Sequence, residues 1–260
     1  MRCTNASVVR IVHTRAAMTA RLFVELPLGA GAPLQLPPTA ARHVQVLRLQ
    51  PSDDVILFDG RGGEWTARVL RIGRSGVEVA VLEHDAVERE LPWPVTLALG
   101  MPANERMDTV VEKATELGAV AIQPLMCERS VLRLAGERAA RRRDHWQAIA
   151  IAASEQSGRT RVPVIEPVRT LADWLDTLSR SDQGAAQRWL LSLDNGLPLA
   201  RPQRCEAALH VLSGPEGGLT QAEERLARER GFRGVGLGPR ILRADTAPLA
   251  TLAWIGLDCG

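Results

Sequence analysis

Two stretches near the C-terminus arrange glycines, carboxylates and arginines in an order that chemistry can use. The first, "LSGPEGGLTQAEERLARERGF" (212–232), ends an apolar run in Ser213, Gly214, Pro215, Glu216, Gly217 and Gly218 and passes at once into a helical pattern. Thr220 and Glu223 form a T-x-x-E capping box, so the helix starts just after Gly218. A glycine loop entering a helix offers bare main-chain N–H groups to an anion or a polar ligand. The same residues also suit a plain strand-to-helix turn. The second stretch, "GVGLGPRILRADTAPLATLAWIGL" from Gly234, repeats the grammar of apolar strand, glycine loop and helix, with Pro248 in the helix's first turn. Arg240 and Arg243 supply positive charge there and Asp245 a carboxylate, either as a site or as a structural ion pair. Neither loop carries the G-K-[ST] of a P-loop or the G-x-G-x-x-G of a dinucleotide fold. Two such loops at the carboxyl ends of neighbouring strands would wall one pocket, the usual ligand position in an open α/β sheet.

The elements that must position these loops fall into two groups. From about Arg21 to Glu83 the pattern is short strands, "RLFVEL", "DVILFDG", "GEWTARVLRI" and "GVEVAVLE", interrupted by one helical piece, "TAARHVQVLRL". That density of strands predicts a small barrel. The charged, proline-punctuated "ERELPWP" (88–94) reads as a linker. Beyond it strands and helices alternate. "VTLALG" and "AVAIQPL" flank the helix "NERMDTVVEKATELG", and a long helix runs from about Glu137 to Gln156 with Trp146, Ile149, Ala150 and Ala153 as its apolar stripe. "VPVIEP", "WLLSLD" and "ALHVLS" predict further strands, with "LADWLDTLS" a helix among them. The fold class expected is α/β, a mostly parallel sheet with helices on both faces, preceded by a small β domain.

Composition narrows the function. The net charge of +2 does not by itself imply nucleic acid, but its distribution is uneven. Between Arg129 and Arg161 eight arginines face Glu137, Asp144 and Glu155, a local excess of about five positive charges that suits phosphates or a solvated helix face. Lys113 is the only lysine, which reflects codon bias or a site that wants a compact point charge. Cys3, Cys127, Cys205 and Cys259 lack ligand spacing, so no metal is expected and free thiols in a reducing cytoplasm are. No apolar run reaches the length of a membrane span. Residues 1–17 hold arginines but no acid and read as a poorly ordered extension, either a transit peptide or an over-called start with Met18 as the first residue.

Taken together, "EKATELG", "PLMCERSV", "EQSGRTRVP", "GPEGGLTQAE" and "LGPRILRADTA", in this order along the chain, resemble the RsmE-type methyltransferases of the SPOUT superfamily. "RLFVEL" with "RHVQVLRLQPSDDV" is similar to that family's PUA-like RNA-binding domain, and the likeness covers nearly everything from Met18 onward. The resemblance implies a PUA-like β-barrel over 18–87, the linker 88–94, and a SPOUT domain over 95–260 whose last part is threaded as a trefoil knot. It implies an S-adenosylmethionine-dependent homodimer that methylates N3 of a uridine in 16S ribosomal RNA of the small subunit. Leu212, Gly214, Glu216, Gly217 and Gly218 would line one side of the cofactor, and Leu237, Gly238, Ile241, Leu242 and Ala247 the other. Uridine N3 carries a proton at neutral pH, so its anion must be favoured. Arg243, helped by Arg240, is the candidate for that, with Glu155 or Asp245 to take the proton. Arg21, Arg48, Arg129, Arg159 and Arg240 would hold RNA. Two departures stand out: Pro102 is followed by Ala103 and Asn104 where the family has lysine and glycine, and Asp245 replaces a glutamate. The rival readings are an RNA-binding protein without cofactor and a nucleotide-dependent enzyme.

Overall fold

The structure, a computed structural model, describes residues 19–31, 33–74, 76–103, 105–181, 186–192, 197–198 and 208–257. The extension expected over 1–17 lies outside the described residues. The chain divides after Val87 into two compact units.

The first unit contains β1 (Ala20–Phe23), β2 (Pro33–Gln35), α1 (Pro38–Val46), β3 (Asp54–Phe58), β4 (Glu64–Gly73) and β5 (Gly76–Asp85). They form one sheet in the order β1-β3-β4-β5-β2, antiparallel except where β1 meets β3. Period-two patterning sends Ala67 and Val69 of β4 and Val77, Val79 and Val81 of β5 to one face. There they meet Leu22, Val55 and Leu57 and the buried stripe Ala40, Ala41 and Val44 of α1 in a single core. Strand β2 escapes sequence reading because it is three residues long and begins with proline, the signature of a sheet edge.

The second unit follows the alternation read from the sequence: β6 (Val95–Gly100), α2 (Glu105–Glu116), β7 (Ala121–Met126), α3 (Gly136–Ser157), β8 (Val164–Ile165), β9 (Arg169–Thr170), α4 (Leu171–Ser181), β10 (Gln187–Leu191), β11 (Leu197–Pro198), β12 (Leu209–Ser213), α5 (Gln221–Glu229), β13 (Arg233–Gly236) and α6 (Thr246–Leu257). Every pairing is parallel, in the order β11-β13-β10-β12-β6-β7-β8, with β9 also on β7. Strands buried on both faces need two apolar sets. Leu97, Leu99, Val211 and Ile122 pack with Trp146, Leu252 and Ile255 beneath α2, α3 and α6. Ala98, Leu125, Leu190 and Leu212 pack with Trp174, Leu175 and Ala227 beneath α4 and α5. The trefoil crossing expected of the last segment depends on the connection from β10 to β12, where 193–196 and 199–207 lie outside the described residues. No described helix is long and apolar enough to cross a membrane, and no described cluster of His, Cys, Asp and Glu could hold a metal ion.

The segment 88–94, read as a linker, is strapped to the second unit. The Arg161 Nε donates to Glu88 at 2.8 Å, and the Arg89 guanidinium donates to the Gly158 carbonyl at 2.8 Å. Trp93 is buried in the core beneath α2. Burial disfavours the Glu88 carboxylate, yet Arg161 and the Thr160 hydroxyl more than offset it and hold its pKa below the usual value. Arg159, 3% exposed, forms a two-pronged ion pair with Glu90 and donates to the Thr115 and Ala119 carbonyls at 2.8 and 2.9 Å. Replacing Arg159 with Ala strips the Glu90 carboxylate of its ion pair and the Ala119 carbonyl of its guanidinium donor. We expect a loss of about 3–5 kcal/mol in chemical denaturation; a loss below about 1 kcal/mol, the range of an exposed pair, would contradict this placement.

Candidate functional site

Register brings the two glycine loops to one edge of the sheet. Leu190 of β10 lies opposite both Leu212 of β12 and Gly234 of β13. The loops after β12 and β13 therefore leave the carboxyl edge on either side of β10, about two strand spacings, or roughly 10 Å, apart. Ser192, at the end of β10, sits between them, with its hydroxyl 3.4 Å from a Glu224 carboxylate oxygen.

The glycines in these loops do two different jobs. A Cβ on Gly214 would lie 2.9 Å from the Leu219 nitrogen, and one on Gly217 would lie 3.1 Å from the Arg129 Cβ. These two let the loop close on itself and on its neighbour. Gly218 and Gly238 adopt φ values of +69° and +96°, and a Cβ on either would meet nothing within 4 Å. Their backbones face open space, one in each loop, which is what a ligand pressed against main chain requires.

The loop after β12 has few side chains of its own to hold it, and other elements do the holding. The Arg129 guanidinium donates to the Gly217 carbonyl at 2.9 Å. The Ala103 N–H donates to Glu216 at 3.0 Å, and Arg106 pairs with the same carboxylate at 3.5 Å. Glu223 completes the capping box with Thr220, and its other oxygen accepts the Glu128 N–H at 2.8 Å. These bonds answer why a lone carboxylate stands among the glycines: Glu216 fastens this loop to the one after β6. Its carboxylate is thus engaged by the Ala103 N–H and Arg106. The thiol of Cys127 lies buried nearby; burial and the Glu223 charge push its pKa up to about 12, so it stays protonated and is no nucleophile.

The remaining expected residues fall into place unevenly. Leu212 is fully buried beneath α4 and α5, so only its main chain can face a ligand. Leu237, Leu242 and Ala247 are half-buried, and Ile241 is exposed. The Arg243 carbonyl accepts the Thr246 and Ala247 N–H groups at 3.0 Å each, which ties the loop to the start of α6 and leaves the exposed guanidinium of Arg243 free of any described partner. Arg240 is likewise exposed, and Asp245 is half-buried with the Thr246 hydroxyl donating to it at 3.3 Å.

Four of the expected RNA and catalytic residues have partners or positions of their own. Arg159 is buried in the strap described above. Arg21 is held by Glu64 and lies over the Phe58 ring at 5.2 Å, so its charge is used inside the first unit. Arg129 is committed to the Gly217 carbonyl. Glu155 lies in the last turn of α3, beside the Arg159 anchor at the amino edge of the sheet. The six residues of β7, about 20 Å, separate that edge from the glycine loops, so within one chain Glu155 cannot serve a base held there. Arg48 remains exposed, in a turn at φ +56° just after α1. Arg106 and the second contact of Glu223 were missed by sequence reasoning: no spacing relates either residue to its partner, which lies 95 or more positions away.

A parallel sheet carrying two glycine loops at its carboxyl edge is the α/β architecture of a protein that holds its ligand there. An RNA methyltransferase domain family matches residues 89–256 and an RNA methyltransferase PUA domain family residues 36–82. The ribosomal RNA small subunit methyltransferase E of Bacillus subtilis is 34% identical over 219 residues, 82% of this chain and 84% of that protein. Its namesake from Synechocystis is 35% identical over 221 residues, 84% and 71% of the two chains. The crystal structure of the Neisseria gonorrhoeae methyltransferase E, bound to S-adenosylmethionine, superimposes with a TM-score of 0.85 at 38% identity and covers 91% of this chain and 96% of that one. The chain belongs to this RNA methyltransferase family.

If Arg129 positions the cofactor loop, Arg129→Ala should weaken S-adenosylmethionine binding by about tenfold or more, the value of a hydrogen bond from a charged donor, with the fold intact. Calorimetric titration reads this directly, and unchanged affinity would show that the loop holds its shape without the guanidinium.

Proposed function

We propose that the protein is an S-adenosylmethionine-dependent methyltransferase that forms N3-methyluridine in 16S ribosomal RNA of the small subunit and acts in the cytoplasm. The observation that carries this is the pair of open, left-handed glycines, Gly218 and Gly238, one in each of the two loops at the carboxyl edge of the sheet. A bound S-adenosylmethionine supplies an activated methyl group whose leaving thioether is neutral, so no acid is needed on that side. The main chain of 212–218 and 237–247 holds and orients it. The residues of this chain must then deal with the acceptor. Arg243, anchored through its carbonyl and free at its guanidinium, favours the N3 anion of the uridine. Asp245, two residues on, accepts the proton. Arg240 beside them and Arg48 in the first unit contact the RNA backbone, which positions without selecting.

The active form is a homodimer. Helix α6 carries no charged residue, and an all-round apolar helix belongs in an interior. Its Leu257 is nonetheless 76% exposed, which a second copy would cover. Light scattering should give twice the chain mass, and Leu257→Glu should shift it toward one; a wild-type monomer would remove the dimer from the proposal.

Methyl incorporation from labelled S-adenosylmethionine into unmethylated small subunits, followed by nucleoside analysis, tests the activity. N3-methyluridine at one site is the expected product, and a different methylated nucleoside would overturn the target. Arg243→Ala should bind cofactor normally yet lose methyl transfer by about 100-fold or more, as when an oxyanion donor is removed. Full turnover by that variant would take Arg243 out of the reaction.

A further inference from the structure

The arginines between Arg129 and Arg161 do not form one surface. Arg159 and Arg161 are taken up by Glu90 and Glu88 at the amino edge of the sheet, and Arg129 by the Gly217 carbonyl. The rest gather at the other end of α3, which starts at the carboxyl edge because β7 ends there and the connecting loop reaches Gly217 through Arg129. Within this group Glu137 takes Arg141 and Asp144 takes Arg143, while Arg133 donates to the Glu128 carbonyl at 2.7 Å. Arg138 and Arg142 have no ion pair or hydrogen bond with any described residue. They stand four positions apart and so share a face, about 6 Å along the axis.

That arrangement is unfavourable in the chain taken alone. Like charges one turn apart repel, and cations in the first turns oppose the helix dipole. Local conflict of this kind, left without compensation inside the fold, marks a surface suited to a partner of opposite charge. Two features favour a phosphate backbone over an acidic protein. The exposed residues of the first two turns of α3 are glycine, alanine or charged, with none of the large apolar side chains that anchor a protein interface. The guanidinium fork also matches phosphate oxygens in pairs.

We infer that Arg138 and Arg142 form a phosphate-binding surface that holds the RNA beside the glycine loops. This rests on the methyltransferase reading and adds the place on α3 where the substrate backbone docks. The surface orients the strand, and selection of the base is left to the cleft.

The test is RNA affinity of the full-length protein as a function of potassium chloride concentration, with unmethylated small-subunit ribosomal RNA as the probe. The Arg138→Gln/Arg142→Gln double variant should lower the slope of log K against log salt by about 1.4–1.8, since each lost phosphate contact removes about 0.7–0.9. It should raise KM for RNA while S-adenosylmethionine affinity and kcat at saturating RNA stay as in wild type. Arg161→Gln, which disturbs a guanidinium already engaged by Glu88, should leave the slope unchanged and so controls for a general loss of charge. An unaltered slope and KM in the double variant, with wild type binding RNA, would overturn this surface alone and leave the arginines to an acidic protein. Absence of RNA binding by wild type would overturn the surface together with the function on which it rests.

Discussion

A loop that binds through its main chain must keep side chains away from the ligand, and it thereby gives up its own means of being held. The segment between β12 and α5 meets this constraint by borrowing. Arg129 comes from the loop after β7, the Ala103 N–H and Arg106 from the region after β6, and Glu223 turns back from the helix that the loop itself begins. Each bond ends on a carbonyl, a carboxylate or an N–H at the loop's periphery. Gly218 is left facing open space. A preorganised but bare backbone loses little entropy when it receives a ligand.

The same economy explains the order of the sheet. Because β10 lies between β12 and β13, two loops separate in sequence leave the same edge of the sheet, one on each side of that strand. The helices on both faces then bury most of the central strands, which leaves the carboxyl edge as a place where polar chemistry can meet water. The opposite edge serves stability: Arg159 gathers Glu90, Thr115 and Ala119, and fixes how the chain enters the methyltransferase unit. Arginines from one sequence stretch thus work at both edges, because α3 spans about 33 Å between them.

The alternation of strands and helices, the long helix over 136–157 and the capping box at Thr220 were all legible in the sequence, because each depends on residues within a few positions of one another. Periodicity reports which face of an element is apolar, and a cap is written within four residues. The division of labour among the glycines was not legible. Gly214, Gly217, Gly218 and Gly238 look alike as letters; only the positions of Leu219 and Arg129 separate those that permit close packing from those that leave room.

The arginines show the limit most clearly. Their type and clustering established an excess of positive charge, and the family-like blocks identified a methyltransferase of RNA. Which of them face solvent depended on carboxylates far along the chain. Arg21 found Glu64, Arg159 found Glu90 and Arg161 found Glu88 across 43 to 73 positions. Arg138 and Arg142 found none. Coulomb attraction acts over a few ångströms in space, whatever the separation in sequence. Composition and local pattern therefore determined the class of chemistry and the elements that carry it, and only the tertiary structure decided which charges are spent on the fold and which remain for a ligand.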